Sequence, residues 1–170
     1  MPRVGIILGS GLGRVARSLE GAKRIPYGRI PHFSRSTVVG HAGELHLGRW
    51  SGVPVAILAG RMHLYEGYSA AEVVFPTRVL AMLGIETLII TCAAGGIAPE
   101  ATPGTFLILS DHINMQGQNP LAGAHDTRWG ARFIDMSQAY DPALRRAARQ
   151  AAAGLRLKCS EGVYAGLLGP

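Results

Sequence analysis

Cysteine is almost missing from this chain. Only Cys92 and Cys159 occur in 170 residues, far apart and with no CxxC or Cys/His pairing, so neither a zinc site nor a disulfide framework is supported. Both are expected to be buried thiols. Charge is also sparse, at 16% of residues against 48% apolar, a balance too apolar for a disordered chain. No apolar run approaches the roughly 20 residues needed to cross a bilayer, so no membrane partner is expected. Aromatics make up only 6%. The 17 Lys+Arg exceed the 11 Asp+Glu to give a net charge of +6, which would suit a nucleic-acid binder. The arginines, however, are scattered or gathered at Arg145, Arg146 and Arg149, with no interleaved rings to form a stacking platform. No nucleic-acid partner is expected. The opening Met1-Pro2-Arg3 runs directly into Val4-Gly5-Ile6-Ile7-Leu8 without signal-peptide order, which makes the cytoplasm the expected location. A single domain over 1–170 is long enough to bury a core.

Strands and helices alternate along what remains. Val4–Leu8 is a short apolar run closed by glycine, the pattern of a buried strand. Residues 44–58 read as two strands around a turn at 49–52, and 86–92, 106–109 and 163–168 as three more. Ser69-Ala70-Ala71-Glu72 is a capping box that opens a helix to about Leu83, with a kink expected at Pro76 and a stop at Gly84. Asp141-Pro142 opens a second helix over 143–153, expected to stop at Gly154. The polar stretch 111–129 reads as a long loop of the kind that carries function. The order implies an α/β fold around a central sheet.

The chemistry concentrates at strand ends. Arg61, His63 and Tyr65 stand at i, i+2 and i+4 in Gly60-Arg-Met-His-Leu-Tyr-Glu-Gly-Tyr68, which in an extended segment points all three the same way. A guanidinium fork, an imidazole and a phenol on one wall suit an oxyanion with a polar organic group beside it, phosphate plus something sugar-like. Gly9-Ser10-Gly11-Leu12-Gly13 follows the first strand, so its amides and the Ser10 hydroxyl can converge on an anion. The dinucleotide fingerprint fails at Arg14, and no Gly-Lys-Ser/Thr follows for a Walker A loop. Each motif has a plainer reading as well. The glycine loop can be a tight turn without a ligand, Arg61-x-His63 a solvated strand face, Ala93-Ala94-Gly95-Gly96 a close-packed turn, and His41 a structural loop histidine. The Ser10, His63 and Ala93 motifs share a position at strand ends, where open α/β sheets place ligands, and this favours a site.

The ordered series Leu8-Gly-Ser-Gly-Leu-Gly13, Gly40-His-Ala-Gly43, Gly60 to Tyr68, Ala93-Ala-Gly-Gly96, Asp111-His-Ile-Asn114, Gln118-Asn-Pro-Leu121 and Met136-Ser137 through Ala139-Tyr-Asp141 resembles the trimeric purine nucleoside phosphorylases. The resemblance covers nearly the whole chain. It implies a nucleoside phosphorylase-like α/β fold, a central mixed β-sheet flanked by helices, in a homotrimer. Carried over position by position, it implies that Ser10, Arg61, His63 and the Ala93 amide bind phosphate, with His41 on a loop beside them. Arg61, His63 and His41 would be the catalytic set. Tyr65 and Tyr164 would contact ribose, and Phe133 would reach into a neighbouring subunit's ribose pocket, although ordinary packing of Phe133 reads equally well.

Two departures stand out. Cys92 occupies a position where the family usually has asparagine. Gly169-Pro170 resembles the opening of the family's Gly-Pro-x-Phe/Tyr-Glu-Thr motif, so the glutamate that reads the purine would lie beyond Pro170 and this sequence would be the N-terminal portion of the domain. The implied reaction is phosphorolysis of purine ribo- and deoxyribonucleosides such as inosine and guanosine, in purine salvage. Inorganic phosphate would be the co-substrate, with no metal and no organic cofactor. The alternatives are a catalytically inactive phosphate-binding fragment of that enzyme and, less favoured, a nucleotide-binding oxidoreductase.

Overall fold

The computed structural model describes residues 1–34 and 42–169, and the chain divides into two compact units, Met1–Ala94 and Gly95–Pro170.

The first unit is built on a five-stranded sheet. Its strands are β1 (Val4–Leu8), β2 (Glu20–Pro26), β3 (Glu44–Trp50), β4 (Val53–Ala59) and β5 (Thr87–Ile90), in the order β2-β3-β4-β1-β5. β2, β3 and β4 pair antiparallel, whereas β1 lies parallel to both β4 and β5, so the sheet is mixed. Side chains of β1 and β4 alternate between two covered faces. Ile6, Leu8, Val55, Ile57 and Ala59 pack on one face with Ala16 and Leu19, which the 3-10 segment Gly13–Ser18 and its flank deliver. Ile7, Ala56 and Leu58 pack on the other with Tyr27, Phe33, Leu45 and Leu80. Burial on both faces explains why β1 and β4 read as unbroken apolar runs. Each large aliphatic side chain removed from water contributes about 1.5–3 kcal/mol.

Helix α1 (Ala70–Met82) supplies Leu80 to the second face. It opens on the expected capping box: Glu72 N–H donates to Ser69 Oγ at 3.3 Å, and Ser69 N–H to Glu72 Oε2 at 2.9 Å. The hydrogen bonds from Ser69 hold the Glu72 carboxyl below its ordinary range. Leu83 caps the helix and Gly84 takes a left-handed φ of 86°, which glycine adopts at little cost. Pro76 lies inside the helix and is buried, where it lacks the N–H that would bond one turn back.

The second unit contains β6 (Phe106–Asn114) parallel to β7 (Cys159–Gly166) and helix α2 (Pro142–Gly154). Asp141 Oδ1 caps α2 by accepting from Ala143 N–H at 2.7 Å and Leu144 N–H at 2.9 Å. Arg145 and Arg149 of α2 both reach Glu161 of β7, the second at 2.6 Å. Asn114 closes the turn after β6, its Nδ2 donating to the Gln118 carbonyl at 2.8 Å while Oδ1 accepts from Gln116 N–H at 3.0 Å.

Several elements differ from the sequence reading. β2 was not anticipated, because Glu20-Gly-Ala-Lys-Arg-Ile-Pro26 is a polar, mostly exposed edge strand with little apolar pattern. β5 is shorter than 86–92, β7 begins four residues before position 163, and β6 runs five residues beyond Leu109 into 111–129, where its ladder to β7 orders polar residues. Gly154 is not the stop of α2. The left-handed position falls on Arg156 at φ 54°, with Arg156 N–H bonded to the Ala153 carbonyl and Leu157 N–H to that of Ala152, a Schellman closure without glycine. Neither cysteine is fully buried: Cys92, past the last paired residue of β5, is exposed and Cys159 is half-buried.

Tyr27 joins the core to the end of β4. It is 2% exposed, packs edge-on against Phe33 at 5.1 Å between centroids, and its hydroxyl donates to the Gly60 carbonyl at 2.8 Å. Burial, and then the Glu44 carboxylate, raise the phenol above its ordinary pKa. Tyr27→Phe keeps the ring contacts but leaves the Gly60 carbonyl without this donor. Urea denaturation is expected to show a loss of about 1–3 kcal/mol.

Candidate active site

Because β4, β1 and β5 are adjacent and parallel, their C-terminal ends meet one edge of the first unit's sheet. Leu8 pairs with Ala59, and Ile7 with Ile90. The next residues along each strand carry the three motifs singled out in the sequence: Ser10 after β1, Arg61 and His63 after β4, and Ala93 after β5. Neighbouring strands lie about 4.8 Å apart, so the motifs are separated by roughly one or two strand spacings.

The segment after β4 keeps its alternation for three residues. Met62 is 1% exposed and anchored in the core, while Arg61 and His63 on either side of it are half-buried. The extended geometry expected over 61–65 stops there, since Leu64–Glu66 is a 3-10 turn. Its cause is local. The Glu66 carboxylate, 3% exposed, accepts from His63 N–H at 2.8 Å and contacts His63 Nδ1 at 2.7 Å, closing a capping box, and Gly67 follows with a φ of 92°. The turn still brings Tyr65 beside His63, the rings stacked at 4.7 Å and 18°. An ionised carboxylate only accepts, so in this contact Nδ1 carries the proton.

Arg61 Nη1 donates to the Thr91 carbonyl at 2.7 Å, which fixes the guanidinium against the end of β5. The loop after β1 is held to the same place: Gly9 N–H donates to Thr91 Oγ1 at 3.0 Å. A Cβ on Gly9 would lie 2.6 Å from the Thr91 carbonyl oxygen, so only glycine fits. Ser10 and Ala93 are exposed. The edge therefore combines a restrained guanidinium, a serine hydroxyl and strand-end amides, which can donate to a tetrahedral oxyanion, with a carboxylate-held imidazole beside them that donates a second proton only when the ring is charged.

The other expected residues stand apart from this description. His41 lies outside the described residues. Tyr164 is on β7, half-buried and in register with His112, and Phe133 is 91% exposed; both belong to the second unit. Glu66 and Thr91 were missed in the sequence reading. Glu66 could have been found as a carboxylate three residues after His63, the spacing of a capping box.

Residues 3–170 match the family model described as "Phosphorylase superfamily". Purine nucleoside phosphorylase 1 of Geobacillus stearothermophilus is 50% identical over 169 residues, 99% of this chain and 62% of the relative. Two Schistosoma mansoni structures match with a TM-score of 0.92. One is isoform 2 of purine nucleoside phosphorylase with cytosine and ribose-1-phosphate, 42% identical, covering 99% of this chain and 61% of that one. The other is the purine nucleoside phosphorylase with inosine, 40% identical with the same coverage. The chain thus spans about three fifths of the length of these relatives.

Replacing Glu66 with alanine removes both contacts to His63. Thermal and urea unfolding of Glu66→Ala are expected to show a loss of about 1–3 kcal/mol, with the His63 ring resonances shifted in NMR spectra.

Proposed function

The chain belongs to the phosphorylase superfamily, and from that premise we propose that its protein is a purine nucleoside phosphorylase. It converts purine ribo- and deoxyribonucleosides such as inosine and guanosine, with phosphate, to the free base and (deoxy)ribose 1-phosphate. The observation that carries the reading is the convergence of Ser10, Arg61, His63 and Ala93 at the aligned ends of β1, β4 and β5. The relatives that hold inosine and ribose-1-phosphate support it. Both units are read as parts of one nucleoside phosphorylase domain, consistent with the span of the family match.

In this reading the Arg61 guanidinium, His63, the Ser10 hydroxyl and the Ala93 amide hold phosphate, with His41 beside them. With Nδ1–H donated to Glu66, Nε2 is the His63 nitrogen directed to the anion in this reading: it donates to a phosphate oxygen when the ring is protonated and accepts from a P–OH when the ring is neutral. A phosphate oxygen attacks C1′ as the bond from C1′ to the purine nitrogen breaks, and the departing base takes the electron pair. The anion beneath the sugar stabilises the oxocarbenium character that develops at C1′. Tyr65, stacked on His63, and Tyr164 line the ribose. Phosphate is the co-substrate, and positioning supplies much of the acceleration.

The assembly in this reading is a homotrimer in which the exposed Phe133 completes a neighbour's ribose pocket, a head-to-tail contact that closes by cyclic symmetry. Cytoplasmic purine salvage is the corresponding cellular role; among the described residues, no helix is long and apolar enough to cross a membrane.

Phosphate-dependent release of hypoxanthine from inosine tests the activity, and its absence from the protein would overturn the reading. Loss of a charge-assisted hydrogen-bonding partner costs about 1.5–3 kcal/mol, so Arg61→Ala is expected to weaken phosphate binding roughly tenfold to a hundredfold. For the assembly, sedimentation at micromolar concentration is expected to give a trimer that Phe133→Ala weakens or inactivates; a stable monomer indifferent to that change would contradict it.

A further inference from the structure

We propose that Thr91 is the positioning residue of the phosphate site, the point at which the three segments carrying its ligands are fastened together. The inference rests on the phosphate reading of this sheet edge and adds a residue that contacts no part of the proposed substrate in that reading. Thr91 directly follows β5 and continues its ladder, with its N–H donating to the Ile7 carbonyl at 3.0 Å. Its hydroxyl does two things at once. Oγ1 donates to that same Ile7 carbonyl at 3.3 Å and accepts from Gly9 N–H at 3.0 Å, which locks the backbone immediately before Ser10. Its carbonyl accepts from Arg61 Nη1 at 2.7 Å, which sets the guanidinium. Two residues further on is the Ala93 amide. One residue therefore touches the backbone that aims Ser10, the side chain of Arg61 and the strand end that presents Ala93.

The arrangement has little slack. The Thr91 carbonyl oxygen is close enough to Gly9 that no Cβ fits between them, and the Cys92 Cα would lie 3.0 Å from such an atom. A hydroxyl is required for the Gly9 contact, since Oγ1 must accept from Gly9 while its own proton goes to Ile7; valine has the same branched shape and can do neither. Serine can do both. A group that preorganises several ligands of one anion acts on affinity without touching the anion, because the unfastened ligands must be ordered at the moment of binding.

The test is calorimetric titration of inorganic phosphate into the wild type, Thr91→Val, Thr91→Ser and Arg61→Ala, with the melting temperature of each recorded and binding measured well below it. Loss of one hydrogen-bonding group predicts a phosphate Kd about tenfold weaker in Thr91→Val, with Thr91→Ser within about twofold of the wild type. A residue with only a structural role would lower the melting temperature in Thr91→Val and leave the Kd unchanged, and that result would overturn the inference. An equal loss in Thr91→Ser would also overturn it, because the hydroxyl is retained there. If Thr91→Val does not fold, the smaller Thr91→Ala carries the same comparison with the same expectation. Unchanged binding in Thr91→Val while Arg61→Ala loses affinity defeats the role of Thr91 alone. Absence of phosphate binding by the wild type defeats the site reading beneath it.

Discussion

Parallel alignment of β4, β1 and β5 is the constraint on which the candidate site depends. Three adjacent strands running in one direction must finish at the same edge, and any residue placed just after each of them becomes a neighbour of the others whatever its distance in sequence. Ser10 and Ala93 are more than eighty positions apart, yet they stand at the ends of directly paired strands. The alignment is enforced from both faces, by Ile6, Leu8 and Ile57 on one and by Ile7, Leu58 and Leu80 on the other. A slip of one residue in β1 would carry Ile6 and Leu8 to the face that holds Ile7, carry Ile7 to theirs, and displace the glycine loop. Core packing and ligand geometry are in this sense one requirement. The Tyr27 hydroxyl on the Gly60 carbonyl and the Met62 anchor extend the same control past the end of β4.

The parts of the fold that were legible in the sequence are those whose local chemistry leaves few options. Val4–Leu8 and Val53–Ala59 are buried on both faces and show it as apolar runs. Ser69 with Glu72 and Asp141 with Pro142 mark helix starts through specific hydrogen bonds. Illegible parts take their form from partners distant in sequence. β2 is a strand because β3 offers it an edge, and the polar end of β6 is a strand because β7 pairs with it. The close of α2 misled for a different reason: glycine is the usual residue for a left-handed C-terminal position, but here Arg156 accepts that conformation and Gly154 stays helical.

The candidate site divides along the same line. Ser10, Arg61, His63 and Ala93 were legible because their residue types and strand-end positions fit an oxyanion. Tyr65 was legible as a neighbour of His63, but not the turn that places it there, because that turn is imposed by Glu66. Thr91 carries no signal in sequence: a threonine at the end of a buried strand is ordinary, and its contacts to Gly9 and Arg61 exist only once the strands are aligned. Phe133 and Tyr164 belong to the second unit and were identified through the family resemblance alone, while His41 lies outside the described residues.

The most direct test of the account is a crystal structure of the protein grown with inorganic phosphate. The account predicts a phosphate at the ends of β1, β4 and β5, within hydrogen-bonding distance of the Arg61 guanidinium, His63, the Ser10 hydroxyl and the Ala93 amide, with Thr91 still bridging Gly9 and Arg61. Phosphate bound elsewhere with this edge empty, or a bound phosphate that Arg61 and His63 do not reach, would contradict it.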